Sequence, residues 1–142
     1  HKFINTNPPK STGVHEFGAK LVNDIKEKYN HLNNNDIIRT FCAFTANSIS
    51  NNISKFVNFN NEKCHLIISG GGVHHYILMK DIKQSCSIKN ISLSDSIGIN
   101  PDKKESLLMS VLGVARLQKM KISMPNVTGA SKKVVLGDVL YE

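Results

Sequence analysis

The stretch Cys64-His65-Leu66-Ile67-Ile68 is short, apolar and β-branched, and it runs straight into Ser69-Gly70-Gly71-Gly72. A run of that length, bounded by glycine, reads as a buried strand rather than a helix. Beyond the glycines, Tyr76, Leu78, Met79 and Ile82 are the apolar members of a predicted helix over His74 to Lys83, and Cys86 to Ile91 reads as a second strand. Strand, glycine turn, helix and strand in that order predict an α/β domain, with helices packed on a small sheet.

The flanking segments fit the same class. Pro8, Pro9, Ser11, Thr12 and Gly13 forbid regular structure near the start, so residues 1–15 read as an irregular lead-in. From Glu16 to Tyr29, Phe17, Leu21, Ile25 and Tyr29 recur at helical spacing on a surface helix. Asn33 to Asn35 can cap a longer helix with Asp36 in its first turn and Ile38, Phe41, Thr45, Ile49, Ile53 and Phe56 as its apolar stripe. Pro101 suits the first turn of another helix. Leu108, Val111, Leu112 and Ala115, widened by Leu107 and Val114, predict that this helix is largely buried. Pro125, Gly129 and Ser131 mark a loop, and Val134 to Leu136 a last short strand ended by Gly137.

A chain of 142 residues suits a single domain, since about 150 residues bury roughly 70% of their unfolded surface. No apolar run approaches the roughly 20 residues of a membrane helix. The start, His1 followed by the polar Lys2 to Pro9, does not read as the apolar stretch of a signal peptide, and reads instead as a fragment of a longer protein or as a tag remnant. Cys42, Cys64 and Cys86 lie far apart with no Cys-x-x-Cys pair, the pattern of reduced thiols in a cytoplasmic protein. A net charge of +7 raises the question of a nucleic-acid partner. Only Arg39 and Arg116 are arginine, however, and the lysines are scattered without a stacking aromatic stripe, so none is expected. The asparagine patches point instead to biased codon usage.

The chemistry concentrates at Ser69-Gly70-Gly71-Gly72-Val73-His74-His75, between strand and helix. Glycines there let backbone amides approach a ligand closely, and a helix N-terminus favours an anion or a polar ring edge. The pattern satisfies neither the dinucleotide-binding spacing nor the Gly-Lys-Ser/Thr phosphate loop, and a tight turn needing glycine for steric reasons is the competing reading. His74 and His75 suggest no metal site: adjacent helical side chains point about 100° apart, and no acidic residue stands at a ligand spacing.

Five segments in order carry a resemblance. Asn7-Pro8-Pro9-Lys10-Ser11-Thr12-Gly13 is similar to the Pro-Pro-Lys-Ser-Thr-Gly signature of anhydro-N-acetylmuramic acid kinases. Phe44-Thr45-Ala46-Asn47-Ser48-Ile49 resembles their Phe-Thr-Ala-x-Ser-Ile helix, and Gly70-Gly71-Gly72-Val73-His74 their Gly-Gly-Gly-x-His turn. Pro101-Asp102-Lys103-Lys104-Glu105 resembles their Pro-Asp-x-x-Glu helix start. Pro125-Asn126-Val127-Thr128-Gly129-Ala130-Ser131 with Val134-Val135-Leu136-Gly137 resembles their C-terminal tail.

The resemblance implies the C-terminal subdomain of an actin-like ATPase (ribonuclease H-like) fold. Residues 1–142 would form the nucleotide-binding domain, and the N-terminal phosphate-loop domain would lie outside this chain. It also implies a cytoplasmic kinase of peptidoglycan recycling that uses ATP and Mg2+. Such an enzyme cleaves the anhydro bridge of 1,6-anhydro-N-acetylmuramic acid with water and phosphorylates the released 6-oxygen. Gly70, Gly71, Gly72 and His74 would lie against the nucleotide. Glu105 would orient the sugar or its attacking water; without the resemblance it reads as a solvated helix-end carboxylate. Lys10, Ser11, Thr12 and Gly13 would form a loop near the cleft.

The chain departs from the family pattern at Val14 and His15, where Arg-Glu follows the first glycine, and at His75, where asparagine is common. It also lacks the Asp-Gly phosphate loop and the Asp-Thr-Gly-Pro-Gly-Asn segment with the base aspartate. Two readings follow. One is a kinase half that is active only with an N-terminal half in cis or trans, with a homodimer as a further partner state. The other is a non-catalytic remnant kept as a structural or dimerisation domain.

Overall fold

The computed structural model describes residues 1–57 and 64–140. These fall into two compact units, His1–Asp24 together with the segment from Glu105 onward, and Ile25–Lys104.

The unit Ile25–Lys104 holds the α/β core. Helix α3 spans Asn34–Phe56, where the Asn33 side chain accepts from the Asp36 amide at 2.9 Å as a sequence-legible cap. Strand β1 spans His65–Ile68, helix α4 Tyr76–Ser85 and strand β2 Asn90–Leu93. The strands pair in parallel, His65 opposite Asn90 through Ile68 opposite Leu93, which requires the crossover that α4 supplies. The observed class is α/β, with a two-stranded parallel sheet and packed helices.

Helices α3 and α4 pack together, and the buried residues are Ile37, Ala46 and Ser50 on the first and Asp81 and Ile82 on the second. That face lies beside the expected stripe, for Ile38, Thr45 and Ile49 are exposed. Close helix contact selects small residues. Ala46 keeps 1% of its surface, and the Ser50 hydroxyl donates to the Ser85 carbonyl, one of the carbonyls a helix end leaves unpaired. Arg39 clamps the buried Asp81 carboxylate through two bonds of 2.6 and 2.9 Å.

Several boundaries differ from the expectation. The glycines enter a 3₁₀ turn, Gly71–His74, so the α-helix opens at Tyr76 and not at His74. Strand β1 alternates exposed and half-buried residues, because a two-stranded sheet covered on one face leaves the other open. The second strand begins at Asn90, well after Cys86.

In the other unit, the lead-in contains a 3₁₀ turn, Lys2–Asn5, held by the His1 ring and the Thr6 hydroxyl. Helix α1, Val14–Phe17, is separated from α2, Ala19–Lys28, at Gly18, where a Cβ would collide with the Val14 carbonyl oxygen. The single helix expected over Glu16–Tyr29 is therefore two, and the second runs on into the α/β unit. Helix α5, Lys104–Leu117, buries Ala115 alone. Leu107, Leu108, Val111 and Val114 are about half exposed, so the expected burial of this helix is not met. Apolar spacing records what a helix is fit to cover, not what lies against it. Helix α6, Pro125–Thr128, replaces part of the expected loop. The expected strand at Val134–Leu136 reduces to one antiparallel bridge, Lys121 with Val135. No helix among the described residues is long and apolar enough to cross a membrane.

Candidate functional site

The glycine turn follows directly from the end of β1. Gly70 sits at φ 91 and ψ 170, a conformation in which a Cβ is strained, so this first glycine is required by the backbone itself. Gly71 is different. It has no positive φ, and a Cβ built on it would meet no atom within 4 Å. At Gly72 a Cβ would only touch Leu78 Cδ2 at 3.7 Å. The second and third glycines are thus free of any steric demand from the described residues, and what they provide is open space over the backbone. As the first residues of a 3₁₀ turn, their amide N–H groups have no carbonyl partner within the turn. Exposed N–H groups beneath an uncrowded surface suit a phosphate or a polar ring edge.

The turn is fastened at its start to the segment ahead of α5. The Gly70 amide donates to the Pro101 carbonyl at 3.1 Å, and the Ser69 hydroxyl reaches the same oxygen at 3.4 Å. The Ser94 hydroxyl, on a residue 3% exposed, donates to Ser69 Oγ at 3.0 Å and orients it. At its far end His74 Nε2 lies 2.7 Å from Asp102 Oδ1. Asp102 stands in the 3₁₀ turn Pro101–Lys103, whose start is fixed by the Asn100 side chain accepting from the Asp102 amide at 2.9 Å. The Lys104 ammonium stands over the turn, 3.6 Å from where a Gly70 Cβ would lie.

His75 caps helix α4. Its Nδ1 accepts from the Leu78 amide at 3.2 Å, as an asparagine oxygen would at the same place. With Nδ1 accepting, Nε2 carries the ring proton, and it points that proton toward Cys42 Sγ at 3.7 Å.

The structure brings Gly70, Gly71, Gly72 and His74 into one turn. Glu105 lies in the first turn of α5 and is grouped with the other unit. Lys10, Ser11, Thr12 and Gly13 also belong to that unit. The Lys10 ammonium donates to the Ile4 carbonyl at 3.0 Å, Thr12 bonds Glu16 at 3.1 Å, and the Gly13 carbonyl starts α1. The two motif segments of this unit converge: Pro8 and Pro9 line an open groove of about 530 Å3 with Pro125, Asn126 and Gly129. The roles of Asp102, Ser69 and Lys104 at the glycine turn escaped the sequence reading. For Asp102 the Pro-Asp-x-x-Glu segment was a signal; no spacing rule joins residues 28 positions apart. No group of three or more His, Cys, Asp or Glu able to hold a metal ion occurs among the described residues.

The family model for anhydro-N-acetylmuramic acid kinase matches residues 1–142. A curated anhydro-N-acetylmuramic acid kinase of Clostridioides difficile (strain 630) is 34% identical over 139 residues, 98% of this chain and 36% of that protein. Those of Bacillus cereus (strain 03BB102) and Francisella tularensis subsp. novicida (strain U112) are 31% and 34% identical, over 99% and 98% of this chain and 37% and 36% of theirs. The chain thus spans little more than a third of the length of these relatives. With the family model matching from its first residue to its last, the chain belongs to the anhydro-N-acetylmuramic acid kinase family.

Proposed function

We propose that this chain is the C-terminal, nucleotide-binding part of a cytoplasmic kinase that converts 1,6-anhydro-N-acetylmuramic acid to N-acetylmuramic acid 6-phosphate in peptidoglycan recycling. The observation that carries the reading is the open, backbone-lined turn at Gly71 and Gly72 in a chain matched throughout by the family model. In this reading the β1–α4–β2 unit is part of the C-terminal subdomain of an actin-like ATPase (ribonuclease H-like) fold, residues 1–142 act as one nucleotide-binding domain, and the protein pairs with a second copy of itself.

The turn fits a nucleotide. In this reading the amides of Gly71 and Gly72 receive phosphate or adenosine while Gly70, whose own amide is on the Pro101 carbonyl, shapes the turn beside them, and ATP with its accompanying Mg2+ supplies the phosphoryl group. The described residues offer no ligand cluster of their own for the metal, so no step is assigned to it. Water would add to the anomeric carbon as the bond from that carbon to the 6-oxygen breaks, its proton passing to the base aspartate of the N-terminal part, and the released 6-oxygen would take the terminal phosphoryl group of ATP with ADP as the leaving group. Glu105 would orient the sugar or that water, and Lys10 to Gly13 would border the cleft. The phosphate loop and the base aspartate would come from the N-terminal part of the protein, in cis or in trans.

The test is phosphoryl transfer to the anhydro-sugar by the full-length polypeptide that carries this chain. Residues 1–142 alone should form no sugar phosphate, since the loss of a positioned base alone costs about 10²–10⁴-fold. Glu105→Gln in the full-length protein should lower turnover more than ATP affinity. A full-length protein that binds ATP but leaves the sugar unchanged would leave only a structural role for the chain.

A further inference from the structure

We propose that His74 is a positioning residue, which with Asp102 locks the far end of the glycine turn onto the segment from which α5 and Glu105 begin. The inference rests on the kinase reading above and adds to it a division of labour within the Gly-Gly-Gly-x-His segment: the glycines meet the nucleotide, and the histidine holds the glycines.

The geometry separates these roles. A carboxylate only accepts hydrogen bonds, so at 2.7 Å from Asp102 Oδ1 it is His74 Nε2 that bears the proton, and that nitrogen is committed to Asp102. The start of the turn is already tied to the same segment through the Gly70 amide and the Ser69 hydroxyl, both on the Pro101 carbonyl. The turn is therefore fastened at Ser69 and Gly70 and again at His74, to the adjacent residues Pro101 and Asp102. Between the two fastenings lie Gly71 and Gly72, whose faces are uncrowded. A loop whose backbone must meet a ligand needs its ends held by something other than that ligand, because groups fixed beforehand lose little freedom on binding. Asp102 is held in turn by the Asn100 side chain on its amide. His74 and Asp102 keep 65% and 57% of their side-chain surface exposed, so the pair is weak as a source of global stability. What it sets is the placement of one turn against the next.

Two measurements on the full-length polypeptide test this. In kinetics, His74→Ala and Asp102→Ala should each raise KM for ATP about five- to tenfold, and by the same factor, because the loosened glycines must then be ordered by the nucleotide itself. The double variant should be no worse than the poorer single one, because both remove the same contact. His74→Gln, whose amide N–H can still donate to Asp102, should recover most of the loss. Additive losses, no rescue by glutamine, or a loss in His74→Ala that Asp102→Ala does not share would make His74 a direct nucleotide contact and overturn the proposal. In hydrogen exchange, Asp102→Ala should speed exchange across Gly71–His74, and His74→Ala across Asn100–Lys103, by about fivefold. Exchange that stays local to each substitution overturns the lock whatever the activity. Reciprocal exchange effects in a protein that phosphorylates no sugar would uphold the lock and remove the kinase reading instead.

Discussion

Gly71→Val separates a glycine needed by a ligand from one needed by the fold. On the folding side the structure predicts little cost. Gly71 has no positive φ and nothing within 4 Å of an added Cβ. The valine restricts the unfolded chain, which favours folding by about 0.4–1 kcal/mol, and its stiff χ1 in a turn returns a similar amount, so the net change is within ~1 kcal/mol. The neighbouring substitution Gly70→Val is the contrast, because φ 91 there holds any L side chain in strain. It should cost about 1–3 kcal/mol and lower the melting temperature by several degrees. On the ligand side the order inverts. A phosphate or ring edge resting on the Gly71 backbone sits about 3.5–4 Å from its atoms, and an isopropyl group fills that space. Losing the contact should weaken ATP binding by at least about a hundredfold, roughly 2.7 kcal/mol. Calorimetric titration of the full-length protein with ATP, beside urea denaturation of both variants, reads the two effects separately. Unchanged ATP affinity in a folded Gly71→Val protein would reduce the three glycines to turn residues and refute the reasoning.

His75→Ala should cost about 1 kcal/mol of stability and His75→Asn almost nothing, because only a side-chain acceptor for the Leu78 amide is required. Equal losses in urea denaturation would mean that the imidazole matters for another reason. Arg39→Met leaves Asp81, a side chain only 9% exposed, without its partner, and should cost about 1–2 kcal/mol, moderated because the arginine is itself 54% exposed. Replacing both residues with Met and Leu should bring stability back to within ~1 kcal/mol of the native pair, and denaturation midpoints that track the number of substitutions would contradict this.

The class and the order of the central elements were legible because strands and helices announce themselves at different periods. Cys64 to Ile68 stops at glycine, and Asn33 carries a capping side chain, so β1 and α3 fall where the residues imply. The buried face of α3 was not legible. Large apolar residues at Ile38 and Ile49 dominate any periodicity, whereas the buried positions of α3 include the small residues Ala46 and Ser50, the second joined to α4 by its hydroxyl. The start of α4 was misjudged for a related reason: a histidine cap is not among the usual capping residues, and a tight turn of glycines has no side-chain pattern to betray its length. Of the candidate site, the glycine turn stands out in its own residues, whereas Glu105 is a candidate only through the family resemblance. The pairing of His74 with Asp102 could not be read, because the parallel crossover that makes them neighbours is a tertiary fact.

The His75 cap bears on how a family motif should be recognised. Where the family pattern that the chain resembles has asparagine after the Gly-Gly-Gly-x-His turn, this chain has an acceptor of another kind, an imidazole nitrogen 3.2 Å from the Leu78 amide. What the fold requires at that position is then a hydrogen-bond acceptor at one distance from the backbone, and not an amino-acid name. Serine, threonine and aspartate meet the same condition, so a pattern written in letters excludes chains that one written in atoms admits.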